Sequence, residues 1–259
     1  MRKLTIIFLF LAVNVWFALG WTPPSPITPP NTVPDAVANM NMGIIGGSVP
    51  AGEASPYEDF TTYTETDANG RFTVATNTIT VGALCNNDTE HYVYKAHAEA
   101  GDFHHQVDVA LTQSGASAYV VLWAVTNGAD FDWNDVTGTA ENDGLAVAYR
   151  DFGGTLRFYI YSYDNGGTTD NDLWIGPTSG TEYFLDITMD DDAGGNGQLT
   201  VVVYPTAADR TASSNAIDTL LLDRAEQVDY THVYGIMSYG DTTATCITSA
   251  TVKNLNLTP

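Results

Sequence analysis

Apolar and polar residues alternate along most of the chain after residue 59, in short runs separated by turn residues. Phe103, His105 and Val107 fall on one face of a predicted strand, and His104 and Gln106 on the other, which is the two-residue period of a half-buried β-strand. The same reading predicts about a dozen strands, at residues 71–75, 78–84, 91–96, 103–112, 118–125, 145–150, 155–163, 182–189, 198–204, 217–222, 231–239 and 246–257.

Turn chemistry separates these runs. Asn69-Gly70, Gly153-Gly154 and the segments 164–167 and 194–197 have the residues that tight turns require. There is no repeat of fixed period, and a short helical turn is expected only within residues 211–224. The pattern therefore predicts an all-β protein, an antiparallel β-sandwich.

The first 58 residues have a different composition. The chain begins with the basic residues Arg2-Lys3 and an apolar run, followed by small residues of a cleavage site at 18–20. This order is typical of a secretory signal peptide over residues 1–20. An uncleaved membrane anchor is the alternative. Residues 21–58 are rich in proline and are predicted to be a tether of low order, leaving 59–259 as the sandwich domain. The chain is expected to be secreted, with no membrane insertion once the signal is cleaved.

The charge balance excludes one class of partner. The chain has 31 acidic and 9 basic residues, for a net charge of −22, and it has no basic patch, so we expect no nucleic-acid binding. Such a surface is typical of a solvated or salt-adapted exterior protein, or of one that collects divalent cations.

Two cysteines are present, Cys85 and Cys246. Export would permit a disulfide between them, which would join the first part of the domain to its last strand. Two separate buried thiols are the alternative.

The order of these features resembles that of the concanavalin A-like lectin/glucanase (laminin G-like) sandwich domains. The resemblance covers residues 60 to 257 and rests on the segments 60–67 (FTTYTETD), 79–84 (ITVGAL), 92–95 (YVYK), 102–103 (DF), 181–187 (TEYFLDI), 199–204 (LTVVVY), 233–239 (VYGIMSY) and 252–257 (VKNLNL). It implies a jelly roll of two curved sheets whose concave face or loop rim binds glycans, in some cases with calcium.

An acidic loop between two predicted strands offers a cation site. Asp130, Asp132, Asn134 and Glu141 stand at positions 1, 3, 5 and 12 of a twelve-residue loop, which is the ligand spacing of the EF-hand calcium loop. Position 6 is Asp135 where that loop has glycine, and the flanking elements are strands. The loop is therefore interpreted either as a calcium site or as a solvated acidic surface.

Aromatic residues suggest where a sugar would bind, because sugar rings have apolar faces that stack on aromatic side chains. Trp133 in the acidic loop and Trp174 are candidate platforms at the loop rim. Tyr159 and Tyr161 share the strand face opposite Phe158 and are candidates to line the concave sheet.

Catalytic motifs are weak. The glucanases of this superfamily carry closely spaced carboxylates on one strand face, and the nearest match here is Asp186 with Asp190, which lacks a glutamate. No serine lies in a Gly-x-Ser-x-Gly turn, the motif that exposes a nucleophilic serine. His104 and His105 point to opposite faces of a strand, so a zinc site is not supported.

The sequence alone therefore favours a secreted, non-catalytic, lectin-like module that binds a glycan or polysaccharide, with calcium assistance from the acidic loop. Two rivals remain: a glycoside hydrolase or lyase of the same fold, and a structural or adhesion module of an extracellular surface or particle. Convergence of Asp186, Trp133, Trp174 and Tyr159 in one cleft would favour a sugar site, whereas their dispersal over the surface would favour the structural role.

Overall fold

The structure is a computed structural model that describes residues 55–89, 91–112, 118–129, 133, 143–164, 168–193, 197–223, 229–240 and 242–259, without the side chains of residues 164 and 168–170. All of these residues belong to the unit Gly52–Pro259. None of the helices within these ranges has the length and apolarity needed to span a membrane.

Strands account for most of the described chain. They are β1 (Thr64–Asp67), β2 (Phe72–Ala75), β3 (Thr78–Val81), β4 (His91–Glu99), β5 (Phe103–Thr112), β6 (Tyr119–Thr126), β7 (Gly144–Phe152), β8 (Thr155–Asp164), β9 (Thr168–Ile175), β10 (Glu182–Asp190), β11 (Gln198–Tyr204), β12 (Asp218–Asp223), β13 (Tyr230–Met237) and β14 (Ser249–Asn256). The described residues also include a 3-10 helix at Phe60–Thr62 and a short α-helix, α1 (Ala207–Thr211).

The strands form two antiparallel sheets of seven strands each. Sheet I has the order β1-β4-β13-β6-β7-β8-β9, and sheet II has the order β12-β11-β10-β5-β14-β3-β2. Half of the neighbouring pairs in each sheet are strands that do not follow each other in sequence, and the chain crosses repeatedly between the two layers. This is the architecture of a jelly-roll sandwich.

The core lies between the two sheets and follows directly from the alternation in sequence. Leu185 and Ile187 of β10 are fully buried in it, whereas Asp186 between them points away from it. Phe158 and Ile160 of β8 bury the matching face of sheet I. Each such side chain contributes about 1.5–3 kcal/mol when it leaves water, so the alternation fixes which face of each strand turns inward.

A β-bulge in β6 changes which of its residues face the core. The pairing of β6 with β7 shifts register between Val121 and Trp123, and Leu122 and Trp123, although consecutive, both join the core. Val121 and Ala124 face the other side of the sheet. A bulge re-aims side chains in this way, and it places an indole in the core.

A buried ion pair holds α1 on sheet II. Arg210 is 5% exposed, and its Nη1 lies 2.8 Å from Asp108 Oδ1. The same nitrogen donates to the carbonyl oxygens of Val107 and Leu185 at 3.3 and 3.1 Å. Because all of these partners lie on β5 and β10, the arginine ties the helix to the centre of the sheet.

The predicted fold class is confirmed, and the differences are local. Strands β1 (TETD) and β9 (TTDNDLWI) were not predicted, because both contain acidic or amide residues, which are depleted in strands. Both are edge strands, with one neighbour each, so their polar residues can face water. The helical turn expected within 211–224 lies slightly earlier, at Ala207–Thr211.

Candidate functional site

The face of sheet I that points away from sheet II is lined with tyrosines. Because side chains alternate along β8, the burial of Phe158 and Ile160 in the core leaves Tyr159 and Tyr161 on this outer face. Their rings stack with centroids 5.4 Å apart. We call this side of sheet I the tyrosine face; Tyr159 and Tyr161 are only 6% and 8% exposed on it.

Small residues occupy the middle of the tyrosine face. In one cross-strand row Tyr234 of β13 is followed by Ala124, Ala146 and Tyr161 on β6, β7 and β8. The apolar cluster on this face consists of Tyr92, Val121, Ala124, Trp133, Ala146, Ala148, Tyr159, Tyr161, Tyr234 and Met237. Aromatic rings therefore lie on both sides of a floor of alanines.

Two arginines face each other on this surface. Arg150 of β7 is the direct cross-strand partner of Arg157 of β8, an arrangement that is destabilising for like charges. Among the described residues neither has a carboxylate partner, and the Nε atom of each is buried without a hydrogen bond. The pair is therefore a concentrated positive charge that lacks a counter-ion within the described chain.

The other described basic residues behave differently, since each pairs with a carboxylate. The pairs are Arg71–Asp88, Lys95–Glu58, Arg210–Asp108 and Lys253–Glu182. In a chain with more than three times as many acidic as basic residues, a carboxylate partner is easy to find. The unpaired state of Arg150 and Arg157 is therefore specific to the tyrosine face.

Aromatic rings surround the guanidinium group of Arg150. Its Cζ lies 4.1 Å from the ring centre of Tyr119 and 4.7 Å from that of Phe152. Tyr119 in turn stacks on Tyr239, with ring centres 4.2 Å apart. Cation–π contacts hold a guanidinium in place, yet they leave its N–H donors available to an anion.

The phenol groups beside the arginines differ in their hydrogen bonding. Arg157 Nη1 donates to the hydroxyl oxygen of Tyr159 at 3.1 Å. Because arginine only donates, the Tyr159 proton is directed elsewhere and is available to another acceptor. Burial, with Tyr239 and Tyr159 nearby, raises the pKa of Tyr161, so Tyr161 remains a neutral phenol at physiological pH.

The structure separates the four aromatic residues that the sequence proposed as sugar platforms. Tyr159, Tyr161 and Trp133 lie together on the tyrosine face, with Trp133 only 2% exposed and its ring centre 6.0 Å from that of Tyr161. Trp174 lies on the opposite side of sheet I, where it stacks on Phe158 at 5.8 Å and packs against the core. Trp174 therefore cannot share a cleft with the other three.

The predicted calcium ligands cannot be placed. Asp130, Asp132, Asn134 and Glu141 lie outside the described residues. Calcium binding by this loop remains a prediction.

A disulfide lies close to the tyrosine face. Cys85 and Cys246 are joined, and the neighbouring Asn86 is 1% exposed. The Asn86 side chain accepts from the backbone N–H of Tyr119 at 2.7 Å and donates to the Thr243 hydroxyl at 3.0 Å. The cysteine bridge and Asn86 thus fix the start of β6, from which the Tyr119 ring reaches Arg150.

One cluster elsewhere has the composition of a metal site. His97, Glu99 and His105 bring their ligand atoms within 4.8 Å of one another, and both histidine Nε2 atoms lie 2.7–2.8 Å from Glu99 Oε1. However, Trp123 Nε1 donates to His105 Nδ1 at 3.2 Å. The proton of neutral His105 therefore resides on Nε2 and is donated to Glu99. This hydrogen bond occupies the nitrogen atom that would have to bind a metal. The cluster is a satisfied hydrogen-bond network.

The outer face of sheet II has a shallow pocket of about 380 Å³ lined by Asp102, Phe103, His104, Thr188, Met189 and Asp190. Beside it, His104 Nε2 pairs with Asp186. Asp186 and Asp190, the nearest match to a glucanase carboxylate pair, therefore lie on the face of the sandwich opposite to Tyr159 and Trp133. We place the candidate site on the tyrosine face, because there the aromatic rings and the unpaired cations coincide, whereas no arginine or lysine lines the pocket.

Sequence reasoning missed Arg150, Arg157, Phe152, Tyr119 and Tyr239. A signal for the first two was present: alternation from Phe158 puts Arg157 on the same face as Tyr159, and the Gly153-Gly154 turn aligns Arg150 opposite Arg157. The register of a two-residue hairpin is predictable, but the absence of a carboxylate partner is visible only in three dimensions.

Comparison with known proteins gives structural matches alone. No family model matches the sequence, and no curated protein matches it. The marine alginate lyase from Aplysia kurodai is 12% identical with a TM-score of 0.50, over 77% of this chain and 92% of that one. A protein of unknown function from Saccharomyces cerevisiae is 11% identical with a TM-score of 0.49, over 77% and 97%, and an alginate lyase from Zobellia galactanivorans is 12% identical with a TM-score of 0.43, over 74% and 81%.

These matches correct the functional expectation. The prediction of a non-catalytic, lectin-like module is contradicted, because the Aplysia kurodai structure, which matches this chain with a TM-score of 0.50, is that of an alginate lyase. Carboxylates, serines and histidines in catalytic spacing are weakly represented in the sequence, whereas the tyrosine face brings together arginines and phenols that are distant from any known motif. The two seven-stranded sheets and the match to the Aplysia kurodai structure together identify the fold of the chain as a concanavalin A-like jelly-roll β-sandwich.

Proposed function

We propose that the protein is a polysaccharide lyase that cleaves a uronate-containing polysaccharide on the tyrosine face. The observation that carries the proposal is the Arg150–Arg157 pair, opposed across two strands and without a carboxylate partner in the described chain. A carboxylate from a bound sugar would relieve the repulsion between the two charges and form the bidentate contact that arginine favours. The aromatic rings around the pair would stack on the apolar faces of the sugars.

Cleavage of a uronate polymer by elimination fits the groups present. The proton on the carbon next to the sugar carboxylate leaves to a base, its electron pair forms a carbon–carbon double bond, and the bond to the leaving sugar oxygen breaks. Arg150 would bind the carboxylate and stabilise the negative charge that develops on it. No water is consumed, so the reaction does not require a carboxylate to activate water, as inverting hydrolysis does.

We assign proton transfer to two phenols. Tyr159, whose hydroxyl proton is directed away from Arg157, would protonate the leaving sugar oxygen. Tyr239, which is partly exposed and stacks on Tyr119 beside Arg150, would in its phenolate form accept the proton from carbon and become a neutral phenol. Tyr161, held neutral by burial, would act only as a hydrogen-bonding and stacking group.

The test is an assay of the full chain with alginate, other uronate polymers and a neutral glucan, read by the ultraviolet absorbance of the unsaturated sugar formed. We expect product from at least one uronate polymer and none from the glucan. Arg150→Gln should abolish product, whereas Arg71→Gln, which removes an arginine paired with Asp88, should not. Failure of the wild-type protein to form unsaturated product from any uronate polymer would refute the proposal.

A further inference from the structure

An exposed apolar pair flanks Arg157 at the edge of sheet I. Phe152 ends β7 with 48% of its surface exposed, and Ile175 ends β9 with 57% exposed. Ile175 is the direct cross-strand partner of Arg157, and the Phe152 ring centre lies 4.6 Å from the Arg157 guanidinium carbon. Side chains of this size are usually buried, so their exposure around a cation is unusual.

The turn that carries Phe152 is rigid. β7 and β8 are joined by Gly153 and Gly154, both with positive φ (62° and 86°), as a two-residue type I′ hairpin requires. Asp151 Oδ1 accepts from the Gly154 N–H at 2.7 Å. Phe152 is therefore held on a preorganised support, which reduces the entropy lost on binding.

This arrangement matches the chemistry of a second uronate residue. Such a sugar has an apolar ring face and one carboxylate; Phe152 and Ile175 offer apolar surface, and Arg157 lies between them as the cation. Arg157 adjoins Arg150 in the next strand, about 4.8 Å away. A polymer with a carboxylate on each consecutive sugar can therefore engage both arginines.

We propose that Phe152, Arg157 and Ile175 form a secondary sugar subsite that extends the site from Arg150 toward the β9 edge and selects polymers with consecutive uronates. The inference rests on the proposed function, because it takes Arg150 as the site of the reacting sugar. It predicts that affinity rises with oligosaccharide length when the added sugar reaches this subsite.

The test is calorimetric titration of the full chain with uronate oligosaccharides of increasing length, together with the lyase assay. We expect the affinity of the wild-type protein to rise about tenfold when one added sugar reaches the subsite. Phe152→Ala should remove this increase. Affinity for the shortest ligand should fall less than affinity for the longer ligands, and Phe152→Trp should keep the increase of affinity with length. Leu221→Ala is the matched control, because Leu221 is 50% exposed but lies on β12 of sheet II.

The outcomes separate the two proposals. If the wild-type protein forms unsaturated product but Phe152→Ala binds every length as the wild type does, the subsite is refuted and the lyase assignment stands. If the wild-type protein neither binds uronate oligosaccharides nor forms product, both are refuted. An equal loss of affinity in Phe152→Ala and Leu221→Ala would also refute the subsite.

Discussion

Arg150 and Arg157 oppose each other across the β7–β8 ladder, and no described carboxylate neutralises either. The four other described basic residues are all paired with acids. A folded chain that keeps two like charges in register loses stability. The arrangement is explained if the counter-ion is an external one that binds to this face.

The first prediction concerns the stability of the ligand-free protein. Arg150→Gln should leave the free energy of unfolding unchanged or raise it by about 0.2–1 kcal/mol, because the substitution removes repulsion between directly opposed like charges. The measurement is urea denaturation in the absence of polysaccharide. A loss of several kcal/mol would show that Arg150 has a structural role instead.

The second prediction uses a contrasting arginine. Arg210→Gln should cost about 3–5 kcal/mol, since it leaves the buried Asp108 carboxylate without its ionic partner; burial already raises the pKa of Asp108. The same urea titration measures it. Loss of less than 1 kcal/mol in Arg210→Gln would contradict the role given to the buried pair on sheet II.

The third prediction concerns proton transfer. Tyr159→Phe should lower kcat by about 10²–10⁴-fold with little change in KM, because the substitution removes the proton donor and keeps the ring. Trp174→Phe is the control, since Trp174 packs on the core side of sheet I, and it should leave kcat nearly unchanged. Equal effects of the two substitutions on kcat would argue against the assignment of Tyr159.

The fourth prediction concerns acid stability. Burial lowers the pKa of His105, and the hydrogen bonds from His105 and His97 outweigh burial to lower the pKa of Glu99. Both groups bind protons less readily when folded than when unfolded, so stability should fall as the pH drops below about 6.5, and further below about 4.5, the values in the unfolded chain. Denaturation midpoints between pH 8 and pH 4 measure the effect.

A variant separates this network from the other groups that titrate. In His105→Gln the loss of stability between about pH 7 and pH 5.5 should be smaller, because His105, which is fully buried, then no longer has to gain a proton on unfolding. His97 and His104 also act on His105 and remain in this variant. If stability depends on pH as steeply in His105→Gln as in the wild type, groups other than His105 cause the effect.

Sequence reasoning was most successful where alternation alone decides the outcome. Tyr159 and Tyr161 were placed together because the period of a strand is fixed, and the two-sheet class followed from the same pattern. Trp174 was misplaced because its strand, β9, was hidden by polar residues, so its register with Phe158 could not be predicted. Asp186 and Tyr159 lie on opposite outer faces of the sandwich, a relation that depends on sheet order.

The measurement that tests the account most directly is a crystal structure of Tyr159→Phe with a uronate oligosaccharide. This variant should bind the substrate and turn it over slowly. The account predicts sugar on the tyrosine face, with one carboxylate hydrogen-bonded to the guanidinium of Arg150 and the rings of Tyr161 and Tyr119 beside it. An oligosaccharide bound instead at the His104 pocket on sheet II, with Arg150 unoccupied, would contradict it.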